Sequence, residues 1–98
     1  MNEELQDVIV TFNNTASIIY ANLFTRFSNS VQQISRKTNK NVYRMQVAKY
    51  TDELKNRLDE EARKLITALP QSHQVLSPTL LARVNFYVQE FSLRCKAY

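Results

Sequence analysis

The sequence predicts an all-α fold, a three-helix up-down bundle with two long amphipathic helices and a shorter third. The chain of 98 residues contains no glycine and two prolines, although average usage would give roughly seven glycines. Because glycine normally occupies left-handed turn positions, hairpin-rich sheets and phosphate-binding glycine loops are disfavoured. Apolar residues recur instead in steps of three and four along three segments, which is helical spacing. We therefore expect a single helical domain over residues 1–98.

The first predicted helix covers about residues 3–36. Its apolar positions form one face: Leu5, Ile9, Phe12, Ala16, Ile19, Leu23, Phe27, Val31 and Ile34. No charged residue occurs from Val8 to Thr25, but the three asparagines within this run would be costly in hydrocarbon, so we reject a membrane span. We expect a helix that is buried on more than one side, or that rests on lipid or on a partner.

The second predicted helix covers about residues 42–69. It follows a polar break at 36–41, which is either a loop or a polar turn of continuing helix. The apolar face of this helix consists of Val47, Leu54, Leu58, Ala62, Leu65 and Leu69. Pro70 ends it, because proline cannot continue a helix.

The third predicted helix covers about residues 78–96. Ser77 is placed to cap it, and Pro78 suits the first helical position. The apolar face contains Leu81, Val84, Val88, Phe91 and Cys95, and Leu80 and Tyr87 widen it. The loops that join the three helices, of about six and seven residues, are long enough for antiparallel neighbours.

Charges on the second helix are arranged around its leucine face. At about 100° per residue, Lys55, Arg57 and Lys64 flank the leucines. The acids Asp52, Glu53, Asp59 and Glu60 lie towards the far side. Such a layout suits a helix lying in a lipid interface, because long basic side chains reach the headgroups while acids stay in water. An ordinary bundle helix with ion pairs four residues apart is the alternative.

The same region resembles a known repeat. The segment Tyr50-Thr51-Asp52-Glu53-Leu54-Lys55-Asn56-Arg57-Leu58, within a 22-residue unit from Lys49 to Pro70, is similar to the repeat of the exchangeable apolipoproteins (A-I, A-IV, A-V and E). Residues 77–83 and 91–97, and more faintly 24–29, are also similar to segments of this family. The resemblance implies reversible, non-catalytic binding to phospholipid or lipoprotein surfaces through the apolar faces of opened helices, in an extracellular setting.

A cluster of bases lies around the polar break. Arg36, Lys37, Lys40, Arg44 and Lys49 occur with no acid between them. They predict contact with an anionic partner such as acidic headgroups, a heparin-like polymer or nucleic-acid phosphates, where Tyr43 could stack on a base. A solvated polar junction has the same composition, and no recognised nucleic-acid module is present, so nucleic acid is the least favoured partner.

Catalysis and metal binding are not expected. One cysteine, Cys95, and one histidine, His73, cannot form a disulfide framework or a soft metal site, and no cofactor motif is present. We expect His73 to be exposed in a polar link. Cys95 either packs as a small hydrophobe or, near the chain end, cross-links two chains.

Two functional hypotheses follow. The first is lipid-surface binding, with a lipid- or partner-facing set of Ile9, Phe12, Ile19, Leu23, Phe27, Leu54, Leu58, Leu65 and Leu69. Its headgroup set is Arg36, Lys37, Lys40, Arg44, Lys49, Lys55, Arg57 and Lys64. The second hypothesis is a helical adaptor or subunit whose charge-free first helix pairs with a partner chain or a second copy. The acidic start without a cleavable apolar core predicts a cytoplasmic protein unless the apolipoprotein resemblance holds.

Overall fold

Three helices make up the described part of the chain. The structure, a computed structural model, describes residues 3–34, 38–69 and 76–98, with side chains from residue 6 onward. Helix α1 covers Glu3–Val31, α2 covers Lys40–Ala68 and α3 covers Ser77–Ala97. No strand occurs in these residues, and the prediction of an all-α three-helix bundle is confirmed.

The break between α1 and α2 differs from the predicted one. Helix α1 ends at Val31 rather than near residue 36, and the Ile34 N–H donates to the Val31 carbonyl 3.0 Å away in the turn that follows. Just before this end, the hydroxyls of Ser28 and Ser30 donate to carbonyls three residues back, an interaction that competes with helical bonding. Helix α2 then begins at Lys40, two residues earlier than predicted. The polar segment therefore separates two helices and does not continue one.

The start of α3 also corrects a detail of the prediction. Ser77 is the first residue of the helix rather than its cap, and the preceding Leu76 is buried in a right-handed helical conformation. Leu76 packs into the bundle, and helical geometry therefore begins one residue earlier than predicted, at Ser77. Pro78 lies in the first turn, where its missing N–H costs nothing. Arg94 and Lys96 occupy the last turn and complement the helix dipole.

Aromatic side chains link the three helices. Phe27, near the end of α1, contacts rings of the other elements, with ring centroids 5.8 Å from Tyr43, 6.2 Å from Tyr50 and 6.0 Å from Tyr98. All five phenylalanines and all five tyrosines belong to one connected set of rings: Phe12, Tyr20, Phe24, Phe27, Tyr43, Tyr50, Phe86, Tyr87, Phe91 and Tyr98. We call this set the aromatic network. Each edge-to-face pair contributes about 0.5–1.5 kcal/mol beyond its buried area.

Aliphatic residues complete the core of a rod that measures 54 × 18 × 17 Å. The predicted apolar faces point inward, and their buried aliphatic members include Ala16, Leu23, Val31, Val47, Leu54, Leu58, Ala62 and Val84. The prediction is wrong for Leu81, which is 47% exposed, because Leu80 lies one helical turn before Val84 and takes the buried position. No polar or charged residue is buried among the described residues. Arg26 and Glu53 join α1 to α2 with an N–O distance of 3.1 Å, but this pair is partly exposed and stabilises little. Apolar packing therefore holds the helices together.

We expect Phe91→Ala to lower the free energy of unfolding by about 3–5 kcal/mol, because it removes a fully buried ring and leaves a cavity. Phe86→Ala is the matched control, since Phe86 lies on the same helix with 53% of its surface exposed, and its loss should cost under about 1 kcal/mol. Urea unfolding followed by circular dichroism measures both. Equal losses in the two variants would contradict the packing described here.

Candidate functional site

The predicted lipid- or partner-facing residues lie inside the closed bundle. Seven of them are buried: Phe12, Ile19, Leu23, Phe27, Leu54, Leu58 and Leu69. The other two, Ile9 and Leu65, are partly buried. A continuous apolar face on each helix serves the core here, so these residues reach a lipid surface or an external partner only if the helices separate.

The bases that flank the α2 leucines remain at the surface. Lys55 and Arg57 are exposed on either side of the fully buried Leu54 and Leu58. Lys64 is also exposed, and its Nζ lies 3.3 Å from a Glu61 oxygen and 3.9 Å from a Glu60 oxygen. Exposed ion pairs of this kind contribute little to the free energy of folding, so Lys64 can give them up for other contacts at little cost. The predicted arrangement of bases beside leucines is thus present in the folded chain, with the leucines facing inward.

The outward face of α1 carries no charge over most of its length. Its exposed side chains from residue 10 to residue 25 are Val10, Thr11, Asn14, Ser17, Ile18, Ala21, Asn22 and Thr25. We call these residues the neutral face. Ile18 has 63% of its surface exposed. The absence of charge from Val8 to Thr25 therefore extends to solvent-facing positions and is not explained by burial in this chain.

A groove of about 440 Å³ lies between the first half of α2 and the end of α3. Its lining residues are Lys40, Tyr43, Arg44, Val47, Ala48, Thr51, Asp52, Ser92 and Lys96. We call it the α2–α3 groove. Two of the predicted anion-binding residues, Lys40 and Arg44, line it, while sequence reasoning missed Lys96 because that base is distant in the chain. Only the antiparallel packing of α3 on α2 brings Lys96 to the same place.

The remaining predicted anion-binding residues are not part of the groove. Arg36 and Lys37 fall outside the described residues. Lys49 lies on another side of α2, with its Nζ 5.3 Å from the centroid of the Tyr50 ring. Tyr43 is buried and its hydroxyl donates to the Cys95 carbonyl at 2.7 Å, so it is not displayed for stacking on a nucleic-acid base. The prediction that Tyr43 could stack on a base is therefore wrong for the packed bundle, because α3 covers this side chain.

Arg94 covers part of the aromatic network in a way that the sequence did not suggest. Its guanidinium carbon lies 3.8 Å from the centroid of Phe24 and 5.8 Å from that of Tyr20. Burial raises the pKa of the Tyr20 phenol, and the positive charge of Arg94 opposes this shift. Arg94 lies on α3 and the two rings lie on α1, so spacing along one helix does not reveal this contact.

Cys95 packs into the core, as the first of its two predicted alternatives required. The residue is fully buried, and burial raises the pKa of its thiol to about 12. A thiol in this position is not displayed for cross-linking in the closed bundle. His73, the other side chain considered for chemistry, lies outside the described residues.

Known proteins provide no further assignment for this geometry. No family model, curated protein or solved structure in the comparisons matches the chain. In the described residues there is neither a group of three metal-binding side chains nor a helix with the length and hydropathy needed to cross a bilayer. The resemblance to exchangeable apolipoproteins stays a prediction.

We expect the Cys95 thiol to resist alkylation by iodoacetamide at pH 8 in the folded protein and to react promptly in denaturant. The reason is that the thiolate is the nucleophile and burial disfavours it. Because the folded pKa of about 12 is raised above the reference value of 9.0, the folded state retains its proton longer, so this group's contribution to stability is lost as pH rises from 9 towards 12. Mass spectrometry of timed reactions measures the labelling. Equal rates in buffer and denaturant would contradict burial.

Proposed function

We propose that the protein is a non-enzymatic binder of phospholipid surfaces whose helices separate to place their apolar faces on the lipid. The observation that carries the proposal is the arrangement on α2. Leu54 and Leu58 are fully buried, Lys55 and Arg57 are exposed beside them, and the acids lie mainly on the other side. On a membrane, the leucines would enter the interface while the two bases reach the headgroups.

When the helices separate on a membrane, their apolar faces move from the protein core to the lipid, which is also apolar. Apart from tyrosine hydroxyls, the buried residues of these faces carry no polar or charged side-chain group among the described positions, so their transfer from the core to lipid keeps apolar surface out of water. Bundles of about this size are marginally stable because they bury a modest core. Anionic lipid adds an attraction of about 1 kcal/mol for each base near the surface. These terms favour a reversible equilibrium between a closed and a lipid-bound form.

We expect Leu58→Ala and Leu58→Glu to have opposite effects on binding to vesicles that contain phosphatidylserine. Both substitutions destabilise the closed bundle, because Leu58 is fully buried and Leu→Ala alone costs about 2–5 kcal/mol. Leu58→Ala keeps an apolar face and should float with vesicles at least as well as the original protein. Leu58→Glu places a charge on that face and should not float. Vesicle flotation with quantification of bound protein measures the difference.

A matched pair of double variants controls for charge. Lys55→Gln with Arg57→Gln removes the flanking bases, whereas Arg63→Gln with Arg83→Gln removes two exposed bases elsewhere. Arg63 is nine residues after Leu54 and so projects from the opposite side of α2. The first pair should weaken flotation more than the second. Normal flotation of Leu58→Glu, or equal effects of the two double variants, would show that the α2 face is wrongly assigned.

A helical adaptor or subunit is the second candidate, and the neutral face of α1 favours it. Exposed charges normally keep such surfaces solvated and apart, yet this face offers Val10 and Ile18 surrounded by uncharged polar groups. Antiparallel or parallel pairing with the same face of a second copy would cover both residues. The occupant that we propose for this face is therefore a second copy of the chain.

If the neutral face pairs, sedimentation at high protein concentration should show a dimer that does not depend on lipid. Ile18→Lys should give monomers, because it would bury a charge in the interface. Leu93→Lys is the control, since Leu93 has 66% of its surface exposed on α3, away from the neutral face. A strictly monomeric original protein, or dimers that survive Ile18→Lys, would exclude self-pairing through this face.

A further inference from the structure

We propose that the α2–α3 groove binds a single-chain phosphate monoester, an apolar alcohol esterified to phosphate, in the closed bundle. This inference does not depend on the proposed lipid-surface binding, because that binding requires the helices to separate whereas the groove exists only while α2 and α3 stay packed. The groove volume of about 440 Å³ lies in the range of small-molecule pockets, about 300–1,000 Å³. Its lining has a basic end, followed by a stretch in which Val47 and Ala48 lie beside Thr51 and Ser92.

The basic end is formed where the two helices meet at opposite termini. Lys40 and Arg44 lie one turn apart at the start of α2, and Lys96 lies in the last turn of α3. The hydrogen bond from the Tyr43 hydroxyl to the Cys95 carbonyl, 2.7 Å long, fixes these two turns beside each other. All three bases therefore border the same end of the groove.

Charge at this end favours a phosphate. The first turn of α2 contains no acid, and its N-cap residue Asn39 makes no side-chain cap hydrogen bond, so no acidic or capping side chain of α2 itself competes with an anion at this helix start. The lining as a whole contains three bases and one acid, Asp52, and so has a net formal charge of +2. A phosphate monoester carries about −1.5 to −2 at pH 7 and so matches this charge better than a carboxylate does.

The remaining lining suits an alkyl chain. Val47 and Ala48 follow the basic end along α2, and the single acid, Asp52, lies eight residues after Arg44, which is about 12 Å along a helix. The acid is therefore separated from the position proposed for the phosphate. An apolar chain that runs from the bases towards Thr51 would cover Val47 and Ala48 and leave the phosphate at the solvent-facing end.

Calorimetric titration with octyl phosphate, kept below its micelle-forming concentration, tests the proposal. We expect binding of one molecule per chain. Lys40→Gln with Arg44→Gln should weaken the affinity at least tenfold. Ala48→Phe should abolish binding by filling the groove; Ala48 is exposed, and far-UV circular dichroism should confirm that the variant is folded. Inorganic phosphate and octanol, titrated separately, should each bind at least tenfold more weakly than the ester.

Several results would overturn the proposal. These are no binding of octyl phosphate, an unchanged affinity in either groove variant, or inorganic phosphate binding as tightly as the ester. Equal affinity for octanoate would overturn the selection of phosphate. The variant Lys55→Gln with Arg57→Gln lies outside the groove and should bind octyl phosphate normally while floating less with vesicles. This variant therefore distinguishes a failure of groove binding from a failure of lipid-surface binding.

Discussion

The aromatic network is the interaction on which the rest of the structure depends. Without glycine the chain has few ways to form tight turns, so it folds as long helices. The stability of the fold then depends on the contacts between these helices. Phe27 supplies these contacts at one end of the bundle, where its ring meets Tyr43 and Tyr50 of α2 and Tyr98 beyond α3. A hydrogen bond from Tyr43 to the Cys95 carbonyl ties α2 to α3 at the same end.

The opposite end of the rod is held by smaller aliphatic groups, among them Ala62, Leu69, Leu76 and Leu80. Aliphatic packing lacks the additional edge-to-face attraction of paired rings. The α2–α3 groove lies at the aromatic end, and the leucine face of α2 extends towards the aliphatic end. The two proposed activities thus use different parts of the bundle.

Much of the fold could be predicted because each helix repeats its apolar residues at helical spacing. Periodicity identified Phe12, Leu54 and Leu58 as members of continuous faces, and all three are buried. The end of α1 was placed too late, since Ile34 continued the spacing although the helix ends at Val31. Spacing reports which side of a helix is apolar, but it does not register the competing hydroxyl bonds of Ser28 and Ser30 near the terminus.

The candidate sites were less predictable because they depend on which helices meet. Lys40 and Arg44 were identified from local charge, but Lys96 joins them only through the packing of α3. Arg94 covers Phe24 for the same reason. The leucine face was assigned to lipid or a partner from its periodicity and its flanking bases, and these features cannot distinguish a face used in a core from one used on a membrane. Which use the face has depends on the equilibrium between the closed bundle and the proposed lipid-bound form of the same chain.

Circular dichroism in the near and far ultraviolet, recorded before and after addition of vesicles rich in phosphatidylserine, tests this equilibrium most directly. Near-ultraviolet signals require aromatic rings fixed in a packed core, whereas far-ultraviolet signals require only helix. If the helices separate on lipid, the near-ultraviolet signal of the aromatic network falls while the far-ultraviolet signal is kept. Vesicle-bound protein with both signals unchanged, or protein that never binds the vesicles, would contradict the account.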